Sequence, residues 1–132
     1  MKTENLRINQ LSPDGYAWYI SYLTALDAKD ITAYGAFLAD DCVMWQNNQP
    51  PVQGKTAILE GLAGYWATFG TLEHDLTNLY GTDDHFVLEA LNHYSRSDGQ
   101  PVTLRAVAFT DRNEQGLVSS FRFYTDVTPL FG

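Results

Sequence analysis

Residues 71–96, TLEHDLTNLYGTDDHFVLEALNHYSR, mark a change of rhythm in the chain. Up to Gly70 apolar residues recur every three to four positions, the spacing of one helical face; from Thr71 on they alternate with polar ones. A period of two sends successive side chains to opposite faces of a sheet. The stretch therefore reads as a strand at 71–80, a turn at 81–84 and a longer strand at 85–96. Downstream, the Asp-Gly of SDGQ (97–100) is a hairpin signal. It separates a strand at 101–111 from the turn RNEQG, and a last strand runs over 117–127 before the tail TPLFG.

Upstream the reading is helical. Ser12 can cap a helix, Pro13 suits its first position, and Asp14 complements the helix dipole. Trp18, Tyr22 and Leu26 follow at intervals of four. Asp30 caps a second helix carrying Ile31, Tyr34, Phe37 and Leu38 on one side, with Asp40-Asp41 as its polar end. CVMWQN (42–47) alternates as a short strand, and NNQPPVQG is a loop. A third helix occupies 54–70, with Ile58, Leu62, Tyr65, Trp66 and Phe69 in its stripe and Gly70 as its stop. Three helices ahead of an antiparallel meander predict an α+β domain with the helices on one face. A ferredoxin-like sandwich is the runner-up, disfavoured because no helix falls between the late strands. Nothing repeats and no linker divides the chain, so one domain is expected over 1–132, with its core at about 13–131.

The 132 residues suffice to bury roughly 65–70% of the unfolded surface without a metal or disulfide. Sixteen acidic against eight basic residues give a net charge of −8, with no basic stripe. Nucleic acid and anionic membrane are therefore excluded as expected partners. The single cysteine, Cys42, allows neither an intrachain disulfide nor a zinc framework. MKTENLRINQ lacks the apolar core of a secretory signal, and no run approaches a membrane span, so a cytoplasmic protein is expected.

Alternation sorts the strand faces. Leu88, Ala90, Asn92 and Tyr94 share one side with Leu104, Ala106, Ala108, Leu117, Ser119, Phe121 and Phe123. The opposite set carries Glu89, Arg105, Arg122 and Asp126, which would be costly to bury against helices. The first set is therefore assigned to a cavity, and the second to a half-apolar interface with cross-strand ion pairs; a bulge would reverse this for Glu89 or Asp126. His74 shares a face with Leu72, Leu76, Asn78 and Tyr80. It is the best titratable candidate in the cavity, since imidazole is the side chain whose charge changes near neutrality. A hydrogen-bonded, inert histidine is the plainer alternative.

The ordered segments YLTALDAKDITAYGAFLADDCVMW, PPVQGKTAI, LEHDLTNLYGTDD, YSRSDGQPV and GLVSSFRFYTDVTPLF resemble the nuclear transport factor 2-like superfamily, in particular its SnoaL-like (polyketide cyclase-like) branch. The resemblance implies three N-terminal helices packed on a strongly curved antiparallel sheet, a cystatin-like α+β cone enclosing a cavity. It also implies a homodimer joined through the sheets. The superfamily spans isomerases, hydrolases, cyclases, dehydratases and non-catalytic modules, so fold does not settle function.

Against the ketosteroid isomerases, the tyrosine position is matched by Tyr22, but the base position falls on Gln46 and the second carboxylate on Ala108. An amide cannot abstract a proton. The Asp-Arg-Asp set of limonene-epoxide hydrolases is missing too, with Phe123 at the second aspartate. Tyr22, Tyr80 and His74 echo scytalone dehydratase only loosely. The expectation is a small-molecule-binding protein, with catalytic His74 and Tyr22 performing isomerase-, cyclase- or dehydratase-type proton transfer. Its ligand, small and hydrophobic or aromatic, would contact Trp18, Met44, Gln46, Trp66, Asn92, Phe121 and Phe123. Neither metal nor organic cofactor is expected. The alternative is a non-catalytic dimeric ligand-binding or assembly module.

Overall fold

Ser12 opens α1 (Pro13–Asp27) as a true N-cap, its hydroxyl accepting from the Gly15 N–H at 3.0 Å. The same hydroxyl donates to Asp83 at 2.6 Å, and the Ser12 N–H donates to the other oxygen at 2.7 Å. A carboxylate more than 70 positions away thus clamps the helix start. The computed structural model describes Met1 and residues 11–131. The signal-peptide reading of the first ten residues lies almost wholly outside them.

Asp30 caps α2 (Ile31–Gly35), accepting from Ala33 N–H at 3.0 Å. This helix ends earlier than its apolar spacing suggests. Leu38 lies in β1 (Leu38–Gln46), as do Asp40 and Asp41, which do not close a helix. The reason is tertiary. The Phe37 carbonyl accepts from Val118 N–H at 2.8 Å, and Leu38 and Ala39 are buried as strand residues. The two-residue β2 (Val52–Gln53) pairs with β1, and α3 (Lys55–Trp66) follows. Gly70 does not terminate α3. It sits in β3 (Phe69–Thr82), where any Cβ would collide with the Ser95 hydroxyl. The rest of the sheet is β4 (His85–Arg96), β5 (Pro101–Arg112) and β6 (Val118–Tyr124), followed by a 3₁₀ turn at Thr128–Leu130.

The architecture is α+β: three helices and one six-stranded sheet in the order β2-β1-β6-β5-β4-β3. One expectation is corrected. β1 runs parallel to β6, so the sheet is mixed rather than antiparallel, and it stays open. β1 and β2 lie between α2 and α3, where a short strand was expected at 42–47, and all three helices precede the antiparallel meander β3–β6. Alternation along the chain carries no information on strand direction, which is why the parallel pair escapes it.

The face assignment holds across β4 and most of β5. Leu88, Ala90, Asn92, Tyr94, Leu104 and Ala106 are buried, while their alternates are half-buried or exposed. It fails where a strand slips register. Between Leu76 and Asn78, β3 gains a residue. This turns Asn78 and Tyr80 outward, and Asn78 donates to Glu89. Between Asp111 and Arg112 the β6 partner jumps from Ser120 to Val118, and Val118 becomes fully buried although its alternation placed it outside. The core on the inner side is aromatic and aliphatic, built on Tyr19, Tyr34, Ile58, Phe86 and Val118.

Candidate active site

A pocket of about 100 Å³ opens between α1, α3 and the inner face of β3–β6. Its floor is made of small residues: Ala90 faces Ala106 across the β4–β5 ladder, and Ala108 faces Leu88. Leucines there would fill the space; alanines leave it open. Tyr19, Tyr22, Tyr34, Tyr65, Trp66 and Tyr94 form much of the wall. Among the described residues, no lysine or arginine lines it.

Of the residues expected to form the site, Tyr22, Trp66, His74, Asn92, Phe121 and Phe123 line this pocket. Three do not. Trp18 lies on the far side of Tyr22, stacked on it at 5.4 Å and covered by the Arg112 guanidinium 4.5 Å from its ring. Met44 is part of the core. Gln46, at the end of β1 beside Phe123, lies outside the lining, so the position a ketosteroid isomerase would give its base neither carries an acid nor reaches the pocket. Ala108 does line it, but as part of the small-residue floor.

His74 is oriented by a residue the sequence reading passed over. Asp27 is the last residue of α1. Its carboxylate accepts from His74 Nδ1 at 2.5 Å and from the His74 backbone N–H at 3.1 Å. A carboxylate accepts only, so Nδ1 carries a proton, and in the neutral imidazole Nε2 is the nitrogen that keeps its lone pair. The imidazole is mostly buried, with 11% of its side chain exposed. One signal for Asp27 was present in the sequence: a carboxylate closing a helix with no basic residue in its last turn opposes the dipole, which costs about 0.3–1 kcal/mol. Such a residue needs a partner elsewhere, and here it is His74.

Asn92 stands directly opposite His74 in the β3–β4 register. It is 93% buried, since 7% of its surface is exposed, and its Oδ1 has no hydrogen-bond partner. The phenols pair among themselves. Tyr22 and Tyr34 hydroxyls lie 2.8 Å apart, and those of Tyr65 and Tyr94 lie 3.2 Å apart. Burial, first of all, pushes the pKa of all four above that of an ordinary phenol. They stay protonated and can act as hydrogen-bond donors, not as bases. The Cys42 thiol is fully buried and pushed up to about 12, mainly by burial and further by Asp41, so it is no nucleophile. Among the described residues, no cluster of three His, Cys, Asp or Glu could hold a metal ion, and no helix is long and apolar enough to cross a membrane.

None of the curated proteins matches the chain in sequence. Solved structures do match in fold. A protein described as a SnoaL-like polyketide cyclase from Shewanella denitrificans OS-217 superposes with a TM-score of 0.77 at 13% identity, over 87% of this chain and 92% of the other. An NTF2-like protein of unknown function from Burkholderia pseudomallei K96243 gives 0.78 at 12% identity, over 90% and 95%. An LEH-like epoxide hydrolase from M. tuberculosis gives 0.72 at 18% identity, over 89% and 86%. At such identities the likeness concerns the fold alone. The sequence model of the SnoaL-like domain matches residues 19–121, from the first pocket tyrosine to Phe121, and the chain belongs to that family.

Proposed function

We propose that the protein binds a small, cyclic, oxygenated compound in this pocket and moves a proton on it, in an isomerase-, cyclase- or dehydratase-type reaction. His74 is the acid–base group, and Asp27 fixes its tautomer. The observation that carries the reading is the Asp27–His74 pair at the pocket wall, with Nδ1 engaged and Nε2 left as the basic nitrogen. Nε2 takes a proton from a carbon next to a carbonyl, Asp27 stabilises the imidazolium that forms, and the same nitrogen returns the proton. The step is balanced without a metal or organic cofactor. Tyr22, expected as a second catalytic group, instead supports the wall through its bond to Tyr34. Among the solved structures of this fold are proteins described as a polyketide cyclase and an epoxide hydrolase, which supports small-molecule chemistry on this scaffold.

The test is deuterium exchange next to the carbonyl of cyclic ketones and lactones, followed by NMR in D₂O. The native protein accelerates exchange, and His74→Ala returns it to the buffer rate. Exchange that survives His74→Ala would sink the assignment.

A second reading is favoured by the outer face of the sheet, where Val107, Phe109 and Tyr124 gather and the Phe109 and Tyr124 rings meet edge to face at 6.1 Å. Such a half-apolar face suits a homodimer joined through the sheets, with the protein acting as a non-catalytic binding or assembly module. Ligand stabilisation that His74→Ala leaves intact would favour a binder. A tight dimer in sedimentation with no ligand response would favour assembly.

A further inference from the structure

We infer that the pocket takes a single six-membered ring, seated on Ala90 and Ala106 with one edge against His74, and that Phe123 at the rim excludes a fused second ring. The inference rests on the proton-transfer reading and adds to it the size of the substrate and the residues that set it.

The position of the ring follows from His74. Its Nδ1 is held by Asp27. Among the described residues Nε2 has no hydrogen-bond partner, and it is not one of the fully buried atoms left without one. It therefore keeps accessible surface, on a residue that lines the pocket. His74 stands opposite Asn92 in the β3–β4 ladder, so Ala90, two residues along β4, is its diagonal neighbour. Diagonal side chains start about 7–8 Å apart, within reach of an aromatic ring. Ala90 in turn faces Ala106 across the β4–β5 ladder. The imidazole thus borders a stretch of sheet covered only by methyl groups. A flat ring lying on that pair brings one of its edge carbons up to Nε2.

Volume and the rim set the upper limit. The pocket holds about 100 Å³, less than the ~150 Å³ apolar cavity that takes up benzene, so one ring fills it and reaches its open side. Ala90 and Ala106 are buried, whereas Ala108, Phe123 and Thr125 are half-buried and border the opening. Phe123 is the bulky member of that group. It is the β6 partner of Ala108 and stacks on the buried Phe121, with ring centroids 6.2 Å apart. The stack anchors the Phe123 ring beside the alanine floor, in the space a second fused ring would need. With a small residue at 123 the floor would run one strand further.

The experiment titrates cyclohexanone and its fused homologue 2-decalone into ¹⁵N-labelled protein at neutral pH, read from amide shifts. By apolar area alone 2-decalone would bind the more tightly. Here cyclohexanone binds more tightly by about tenfold or more, because the second ring has no room. Phe123→Ala brings the two affinities to within about twofold or reverses their order. Ala106→Leu fills the floor and weakens cyclohexanone by about tenfold or more; Ala106→Val gives a smaller loss if the leucine variant does not fold. The variants keep the native His74 tautomer in long-range ¹H–¹⁵N correlations, so the changes report space and not the Asp27 pair. Native protein that binds 2-decalone as tightly as cyclohexanone, a preference unmoved by Phe123→Ala, or a cyclohexanone affinity unmoved by filling position 106 would overturn the inference while His74-dependent exchange still stands. If neither ketone binds, the inference falls together with the pocket reading.

Discussion

Replacing Asp27 by asparagine tests the orientation of His74 at almost constant shape. The carboxylate accepts two N–H groups, the His74 backbone at 3.1 Å and Nδ1 at 2.5 Å. An asparagine keeps one acceptor oxygen and turns an NH₂ toward the other donor. Hydrogen bonds to a charged partner are worth about 1.5–3 kcal/mol, against about 0.5–1.5 for neutral pairs, so the swap forfeits about 1–2 kcal/mol. Removing a negative charge from the C-terminus of α1 returns about 0.3–1 kcal/mol. The Asp27 side chain is 29% exposed, which favours the low end of the loss. Net destabilisation of no more than about 1 kcal/mol should appear in urea unfolding. The chemical effect is far larger. An amide NH₂ facing Nδ1 forces the imidazole proton onto Nε2, the atom that must accept. In serine proteases the equivalent change costs about 10⁴ in rate, and a loss of about 10³–10⁴ in carbon-proton exchange is expected here. Long-range ¹H–¹⁵N correlations read the tautomer directly. An Asp27→Asn protein that keeps the Nδ1-protonated tautomer and its full exchange rate would refute the reasoning.

Three further outcomes follow from the packing. Tyr34→Phe leaves the buried Tyr22 hydroxyl without its partner at 2.8 Å and should cost about 1–3 kcal/mol in chemical denaturation, whereas Tyr22→Phe/Tyr34→Phe together should cost less than the sum of the two singles. Gly81→Ala should destabilise by at least about 2 kcal/mol, because Gly81 has φ 109° and a Cβ there runs into the backbone carbonyl of His85; a loss of only a few tenths would show that the turn can rearrange. Hydrogen bonds from the Ser12 hydroxyl and N–H hold the Asp83 carboxyl below the usual range. The folded value is thus below the unfolded one, so this contribution is complete above about pH 4 and is lost as the pH falls through the depressed value. Asp83→Asn should flatten the acid limb of the melting-temperature profile, and an unchanged limb would show that the clamp contributes nothing.

How far the structure was legible differs from element to element. The strand at 85–96 was placed residue by residue, because it is central and its inner face is buried along its whole length, so pattern and burial coincide. The family resemblance likewise rested on local segments, all within the span of the sequence model except the last, of which it covers only the start. What escaped were events decided by distant partners. Leu38 reads as helical until Val118 is brought alongside it. Asn78 and Val118 change face because register slips in a ladder that no single strand reveals. Within the pocket, His74 and Asn92 followed from alternation, but Asp27 did not. It serves the site from a helix end 47 positions away in sequence, and its one local sign was an unfavourable charge.

The parallel pairing of β1 with β6 also bears on the order in which the molecule can assemble. Leu38 pairs with Val118, which is 80 positions later, and Gln46 pairs with Phe123. β3, β4 and β5 meet through tight turns and can zip together from neighbouring sequence. β1, with β2 at its edge, has no neighbour on its inner side until the final strand is available. During synthesis the early part of the chain must wait, partly formed, for residues made last. Contacts of such long sequence separation slow folding. A ribosome-stalled chain lacking 118–124 would hold the β3–β5 meander but leave β1 an open edge, exposed to pairing with other chains.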